Sequence, residues 1–111
     1  MKEFFDYLTK KTEAGTARIA QLEKEGRKDD AAFAKVSTNI YDVCLTVTKA
    51  LIDRPGAGPA AVKARFEGFR TVWGDALDKA REHGDARGTV VGEAKMEALE
   101  DVIAHFSEAD K

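Results

Sequence analysis

The chain has 111 residues, a formal net charge of −2, and hydrophobic and charged fractions of 43% and 34%. This length is typical of one domain, which we place at residues 1–111, and the apolar fraction is too high for global disorder. The slightly acidic balance lacks the basic excess of most nucleic-acid-binding proteins, so we expect no nucleic-acid partner.

The first predicted helix carries apolar residues at helical spacing from Phe4 to Leu22, and Gly26 is placed to end it. In its middle the inward positions are occupied by the small residues Thr12 and Gly15. Small residues there either let another helix approach closely or leave space for a ligand. We expect close packing, against the large aromatic residues of the third helix, because protein cores are normally filled.

The second predicted helix has Asp29 or Asp30 as its expected N-cap. It carries two apolar stripes, one expected to face the core and a second about 100° around the helix. The expected core stripe consists of Phe33, Val36, Ile40, Val43, Cys44, Val47 and Leu51, and the second of Ala34, Tyr41, Leu45 and Ile52.

The second stripe is the candidate functional surface. Tyr41, Leu45 and Ile52 follow the spacing i, i+4, i+11 and form one line down the helix. They either pack on a neighbouring helix of the same chain or form an exposed patch that makes a homodimer or docks a partner protein. The sequence leaves both alternatives open.

The third predicted helix follows a break that contains both prolines of the chain. Pro55 disfavours helical conformation at Arg54, and Pro59 fits the first turn of a new helix, which we expect to stop at Gly84. The predicted core residues of this helix are Val62, Phe66, Phe69, Val72, Trp73, Ala76, Leu77 and Ala80.

The sequence does not determine where the fourth predicted helix begins. Either Thr89 caps it or Gly92 precedes it, and Val90 and Val91 then pack as a lid over the end of the bundle. Its predicted core residues are Met96, Leu99, Ile103 and Phe106, with Val102 at the flank. Short connections make consecutive helices antiparallel neighbours, so the sequence predicts an all-α, antiparallel up-down-up-down four-helix bundle.

Motifs for chemistry are missing from the sequence. It contains no Glu-x-x-His pair of the kind found in di-iron bundles and no Walker loop. Glu97, Asp101 and His105 share one stripe of the fourth helix, but we expect that stripe to be a solvated face rather than a metal site. Cys44 lies in the expected core stripe, where a thiolate is disfavoured. We therefore expect no catalytic residues, no metal and no cofactor.

The function predicted from these observations is a non-enzymatic helical interaction module that self-associates or docks a partner protein. The alternative is a helical bundle that binds a small molecule in the space beside Gly15. A lone cysteine gives no support for an oxidising compartment, and no uncharged run approaches the length of a membrane span. We therefore expect a cytoplasmic protein that does not associate with membranes.

Overall fold

A computed structural model of the chain describes residues 1–109 and contains four α-helices: α1 (Lys2–Lys24), α2 (Lys28–Leu51), α3 (Pro59–Glu82) and α4 (Ala86–Ala109). The prediction of an all-α, up-down-up-down four-helix bundle is confirmed. Within residues 1–109, none of the helices combines the length and the apolar character that crossing a membrane requires.

The turns of the α1–α2 and α3–α4 hairpins are built in the same way. Gly26 and Gly84 have φ values of +76° and +67°, a left-handed conformation that glycine adopts without a steric penalty. In the first turn the Gly26 N–H donates to the Glu23 carbonyl at 3.0 Å, and the Arg27 N–H donates to the Leu22 carbonyl at 2.9 Å. The turn at Gly84 repeats both bonds, so each glycine closes its helix with a Schellman motif, as the sequence indicates.

The start of α2 differs from the prediction. Its N-cap is Arg27, which makes no side-chain capping bond, and Asp29 and Asp30 lie inside the first turn. The predicted aspartate cap is therefore wrong. Both carboxylates instead stabilise the positive end of the helix dipole, and Asp30 also pairs with Arg27 at 2.8 Å.

The start of α4 lies before both predicted positions. An Asp85 carboxylate oxygen accepts the Gly88 N–H at 2.9 Å, which is the bond of an N-cap. Because Asp85 satisfies this amide, the helix begins before Thr89. Val90 and Val91 are consequently helical residues, and the predicted lid is wrong.

The helices pack as two hairpins. α1 packs along α2, α3 packs along α4, and the hairpins meet mainly through α2 and α4, which lie on a diagonal in a regular bundle of this topology. No Cα atom of α1 comes within 8 Å of one in α3. The Cα atoms span 44 × 35 × 20 Å, so the bundle is flattened and about two helix diameters thick.

The main core lies at the end of the bundle where α1 and α3 begin and α2 and α4 end. The rings of Phe4, Phe66 and Phe106 meet there with centroid distances of 5.2–6.4 Å. Leu22 and Leu77 are buried near the two hairpin turns, outside this cluster. The core consists of Phe4, Leu8, Ile40, Cys44, Leu45, Val62, Phe66, Ala98, Leu99, Val102 and Phe106.

Gly15 is where α1 and α2 approach each other closely. A Cβ atom added at Gly15 would lie 2.9 Å from the Cβ of Thr38 in α2. The prediction of close packing is confirmed, but the predicted partner is wrong. Thr38 takes the place of the aromatic residues of α3, because the backbones of α1 and α3 stay far apart.

Candidate functional site

The predicted interface residues of α2 pack within the chain. Leu45 has 9% of its surface exposed and belongs to the core, and Tyr41 and Ile52 are partly buried against that core. The Tyr41 hydroxyl donates a hydrogen bond of 2.8 Å to the Asp101 carboxylate in α4. These three positions therefore follow the first of the two alternatives, packing on neighbouring helices. The apolar surface that α2 leaves open lies elsewhere.

The expected core stripe of α2 is only partly covered. Ile40 and Cys44 are buried, whereas the other five members are half-exposed. The physical reason is that α2 packs closely on α1 and α4 but makes far less contact with α3, the next helix in the chain. The half-exposed members of the stripe are Phe33, Val36, Val43, Val47 and Leu51.

An apolar groove lies between the C-terminal part of α2 and the N-terminal part of α3, and we call it the α2–α3 groove. Its volume is about 460 Å³. Alanines form its α3 wall, and because they are short they leave the gap between the two helices unfilled. The lining residues are Val47, Ala50, Leu51, Ala61, Ala64 and Arg65.

A row of three side chains runs along α3 away from this groove. The guanidinium of Arg65 lies over the ring of Phe69, 5.5 Å from its centroid, and Phe69 stacks on Trp73 with centroids 4.7 Å apart. Phe69 and Trp73 are half-buried rather than fully inside. Val72, a predicted core residue, has 64% of its surface exposed. That prediction is wrong because α2 does not cover this side of α3.

The helix ends that form the groove are basic in a chain that is acidic as a whole. Arg65 lines the groove directly, and Arg54 follows Leu51 by one turn. Neither arginine forms an ion pair with any other residue in the 1–109 range. Between positions 49 and 65 the charged residues are Lys49, Asp53, Arg54, Lys63 and Arg65.

A polar cluster, the tyrosine clasp, joins the two hairpins and consists of Tyr7, Tyr41, Asp101 and His105. One Asp101 oxygen accepts hydrogen bonds from the hydroxyls of Tyr7 and Tyr41. The His105 ring stacks on Tyr7 with centroids 3.8 Å apart and planes inclined by 12°. The expected solvated stripe is confirmed at Glu97 and His105, which are exposed, whereas Asp101 is half-buried because both helices of the first hairpin supply it with donors.

The protonation states of the clasp follow from its burial and its bonds. Burial raises the pKa of Tyr7 and of Tyr41, and the hydrogen bonds to Asp101 raise both further. Burial also raises the pKa of Asp101, but the bonds from Tyr7 and Tyr41 and the nearby His105 outweigh it, so the net shift is downward. At neutral pH two neutral phenols thus bind one carboxylate. The arrangement is a link between the helices of the two hairpins.

Groups for metal or covalent chemistry are not assembled in the described part of the chain. No cluster of three or more His, Cys, Asp or Glu side chains among residues 1–109 could hold a metal ion. Cys44 is buried, and burial raises the pKa of its thiol to about 12. The thiol is therefore protonated at neutral pH and is a poor nucleophile.

A second, shallower groove lies beside Gly15 on the outer surface between α1 and α2. Its volume is about 310 Å³, and the space at Gly15 itself is filled by Thr38. Lys11 and Arg18 are the cations at this groove. Its lining residues are Lys11, Ala14, Gly15, Arg18, Ala34, Ser37, Thr38 and Tyr41.

The α2–α3 groove was not predicted from the sequence, although the sequence contains one signal for it. The first two turns of α3 contain Ala60, Ala61 and Ala64, so this part of the helix carries few long apolar side chains. Such a helix cannot fill the space beside the valines of α2. A helix segment with short side chains next to a helix with a wide apolar face is therefore the sequence pattern that indicates an open groove.

Comparison of the chain with protein-family models, with curated proteins and with solved structures finds no match.

Proposed function

We propose that the chain is a non-enzymatic interaction module that docks a partner protein, or a second copy of itself, through the α2–α3 groove. The observation that carries the proposal is the open apolar groove itself, and Val72, two turns beyond the groove residue Arg65 on α3, also has most of its surface in water. Contiguous exposed apolar surface of this kind marks sites of protein association, and a groove between two helices suits a helical segment of the partner.

The chemistry of the groove supports association rather than catalysis. Its lining of alanine, valine and leucine offers neither a nucleophile nor a group that transfers protons, and Arg65 is permanently charged. Elsewhere, Cys44 is protonated and the hydrogen-bonding groups of the tyrosine clasp are occupied by one another. Cys44 and the residues of the tyrosine clasp therefore have structural roles.

Covering the groove removes apolar surface from water, which favours association. Burial of apolar surface contributes roughly 25 cal/mol per Å² before the entropic costs of association are subtracted. Because α2 and α3 belong to a folded bundle, the groove is preformed and little ordering entropy is lost on its side.

Site-specific photo-crosslinking in the cells that produce the protein tests this proposal. A photoreactive phenylalanine analogue at Ala64 in the groove should give adducts of defined mass, whereas the same group at Glu13, exposed on α1, should not. A doubled mass identifies self-association and any other defined mass a partner protein. Val72→Asp should abolish the adducts while leaving the circular dichroism spectrum unchanged. Equal labelling from both positions, or labelling that survives Val72→Asp, would contradict the proposal.

Small-molecule binding is the second candidate function, and the groove beside Gly15 is the observation that favours it. Lys11 and Arg18 form no ion pairs within residues 1–109, so this groove suits a small anionic ligand. Native mass spectrometry of the purified chain should then show a bound molecule that Arg18→Ala releases and Val72→Asp does not. A spectrum with the bare mass only, even when the protein is purified gently at low salt, argues against this candidate.

A further inference from the structure

We infer that the segment occupying the α2–α3 groove is an amphipathic helix of a partner protein that carries acidic residues along the edges of its apolar face. The inference rests on the proposed function and specifies the chemistry of the partner. Its basis is the combination of an apolar floor, a wall of short side chains, and two arginines without an ion pair within residues 1–109, Arg65 in the lining and Arg54 one turn after Leu51.

The shape of the groove favours a helix over an extended strand. A strand that binds a protein edge obtains much of its affinity from main-chain hydrogen bonds, which need free N–H and C=O groups. The walls here are two 24-residue helices, whose interior N–H and C=O groups already bond within each helix. A helix satisfies its own backbone and inserts a ridge of side chains between two others.

The short residues of the α3 wall set the size of the incoming side chains. Ala61 and Ala64 face Val47 and Leu51 across a space of about 460 Å³. Filling that space to the density of a protein interior requires large apolar side chains from the partner. Leucine, isoleucine, methionine or phenylalanine at i, i+3, i+4 and i+7 would provide them on one face of a helix.

The positive charge around the groove favours a partner helix that carries negative charge. Four basic residues and one acidic residue lie between positions 49 and 65, against a net charge of −2 for the whole chain. Arg54 and Arg65 have no ion-pairing partner within residues 1–109 and are available to one from outside. Carboxylates on the partner helix would be attracted during approach and paired on arrival, while lysines in their place would be repelled.

A protein helix fits these features better than an anionic lipid surface does. Proteins that lie on membranes present a protruding apolar face that sinks into the bilayer. Here the apolar residues line a recess, which a flat bilayer cannot fill but a ridge of side chains can.

The row formed by Arg65, Phe69 and Trp73 supplies an internal readout of occupancy. Trp73 is the only tryptophan in the chain, and it stacks on Phe69, which in turn lies under the guanidinium of the groove residue Arg65. A carboxylate that pairs with Arg65 should therefore change the fluorescence of Trp73.

The experiment uses two synthetic peptides of about 18 residues, the length of a helix that spans most of α2 or α3. Both lack tryptophan and have the same leucines at i, i+3, i+4 and i+7, but one has glutamates beside the leucines and the other lysines. Each is titrated into the full chain by Trp73 fluorescence and by calorimetry. The glutamate peptide should bind about tenfold more tightly at low salt, and added salt should reduce the difference.

Charge reversal in the groove provides the decisive variant. Arg54→Glu/Arg65→Glu should reverse the preference, so that the lysine peptide binds about tenfold more tightly. The matched control is Lys79→Glu/Arg87→Glu, which changes the net charge equally at the far end of the second hairpin and should leave the preference unaltered. Circular dichroism checks that the wild type and both double variants keep their helical content.

The possible outcomes separate the inference from the proposed function. Equal binding of both peptides that Val72→Asp abolishes would overturn the acidic specificity and leave docking at the groove in place. Binding of neither peptide would overturn the inference, while groove-specific crosslinks at Ala64 would still support the proposed function. Binding only to vesicles of phosphatidylcholine and phosphatidylglycerol, lost on charge reversal, would overturn the inference in favour of a lipid surface.

Discussion

Tyr7 and Tyr41 are the only tyrosines in the chain, and both donate to the same oxygen of Asp101. This makes their ionisation a direct report on the junction between the two hairpins. Burial, reinforced by the bonds to Asp101, raises the pKa of each phenol above its ordinary value of 10.0. The folded state consequently holds the two protons more tightly than the unfolded state does.

Alkaline titration should therefore show no free tyrosine in the native protein. Since the folded pKa values lie above the unfolded ones, the stability that the phenols contribute is complete below pH ~10 and is lost as the pH rises above it. Tyrosinate absorbance near 295 nm should appear together with the loss of the helical signal. Asp101→Asn, which removes the negative charge between the phenols, should lower the pH at which they ionise. A tyrosine that ionises near pH 10 while the protein is still folded would contradict the clasp.

Acidification affects the other side of the same cluster. The pKa of Asp101 is lowered on folding, since the bonds from Tyr7 and Tyr41 outweigh the effect of burial. Its contribution to stability is therefore present above the unfolded pKa, 3.8, and is lost as the pH falls through the folded pKa. In urea unfolding followed from neutral pH down to pH ~2, Asp101→Asn should show a smaller fall in stability than the wild type. Parallel curves for the two proteins would show that the bonds are not formed in solution.

At the scale of the helices, the apolar spacing, the two glycine ends and the proline start could be predicted, whereas the start of α4 and the lateral partners of the helices could not. Gly26, Gly84 and Pro59 fix where helices end and begin through local backbone chemistry, so sequence alone was sufficient there. Which helix covers which stripe depends on how two hairpins dock, and that is a property of the assembled core. For this reason the sequence leaves open whether Leu45 packs within the chain, and it places Val72 in the core although that residue is exposed.

Gly15 allows a test of helix packing within the first hairpin. An added methyl group would meet Thr38 at both its Cβ and its Cγ2, 2.9 Å away, so α1 and α2 would have to separate. Gly15→Ala should therefore destabilise the protein by about 1–3 kcal/mol, despite the better helix propensity of alanine. The matched control is Gly68→Ala in α3, where no atom lies within 4 Å of the new Cβ. That variant should be stabilised by up to ~1 kcal/mol.

Thermal or urea unfolding of the two glycine variants gives the comparison directly. Thr38→Ala combined with Gly15→Ala should recover part of the lost stability, because the methyl group then meets a smaller neighbour. A Gly15→Ala protein as stable as the Gly68→Ala control would show that α1 and α2 are less closely packed than described.

At the scale of the whole molecule, the flattened arrangement of two hairpins explains both the buried and the open surfaces. α4 packs against α2 along what would be the diagonal of a square bundle, and this contact takes the place of a close one between α2 and α3. The sequence predicts a candidate interface on α2, and the groove proposed as the docking site also involves α2. The face differs because Leu45 is buried and Tyr41 and Ile52 are half-buried against the core, whereas Val47 and Leu51 of the neighbouring stripe line the gap toward α3.

An acidic substitution at a buried position and another at an exposed position test which helix surfaces are buried. Leu45→Glu places a charge in the core, in contact with the residues that join the two hairpins. Removing a buried leucine costs about 2–5 kcal/mol, and a buried carboxylate without a partner adds to that, so the protein should be largely unfolded. Val72→Asp lies on the exposed side of α3 and should change the free energy of unfolding by less than ~1 kcal/mol. Urea unfolding followed by circular dichroism measures both. A folded Leu45→Glu protein, or a Val72→Asp protein destabilised to the same degree, would show that the hairpins dock through different faces.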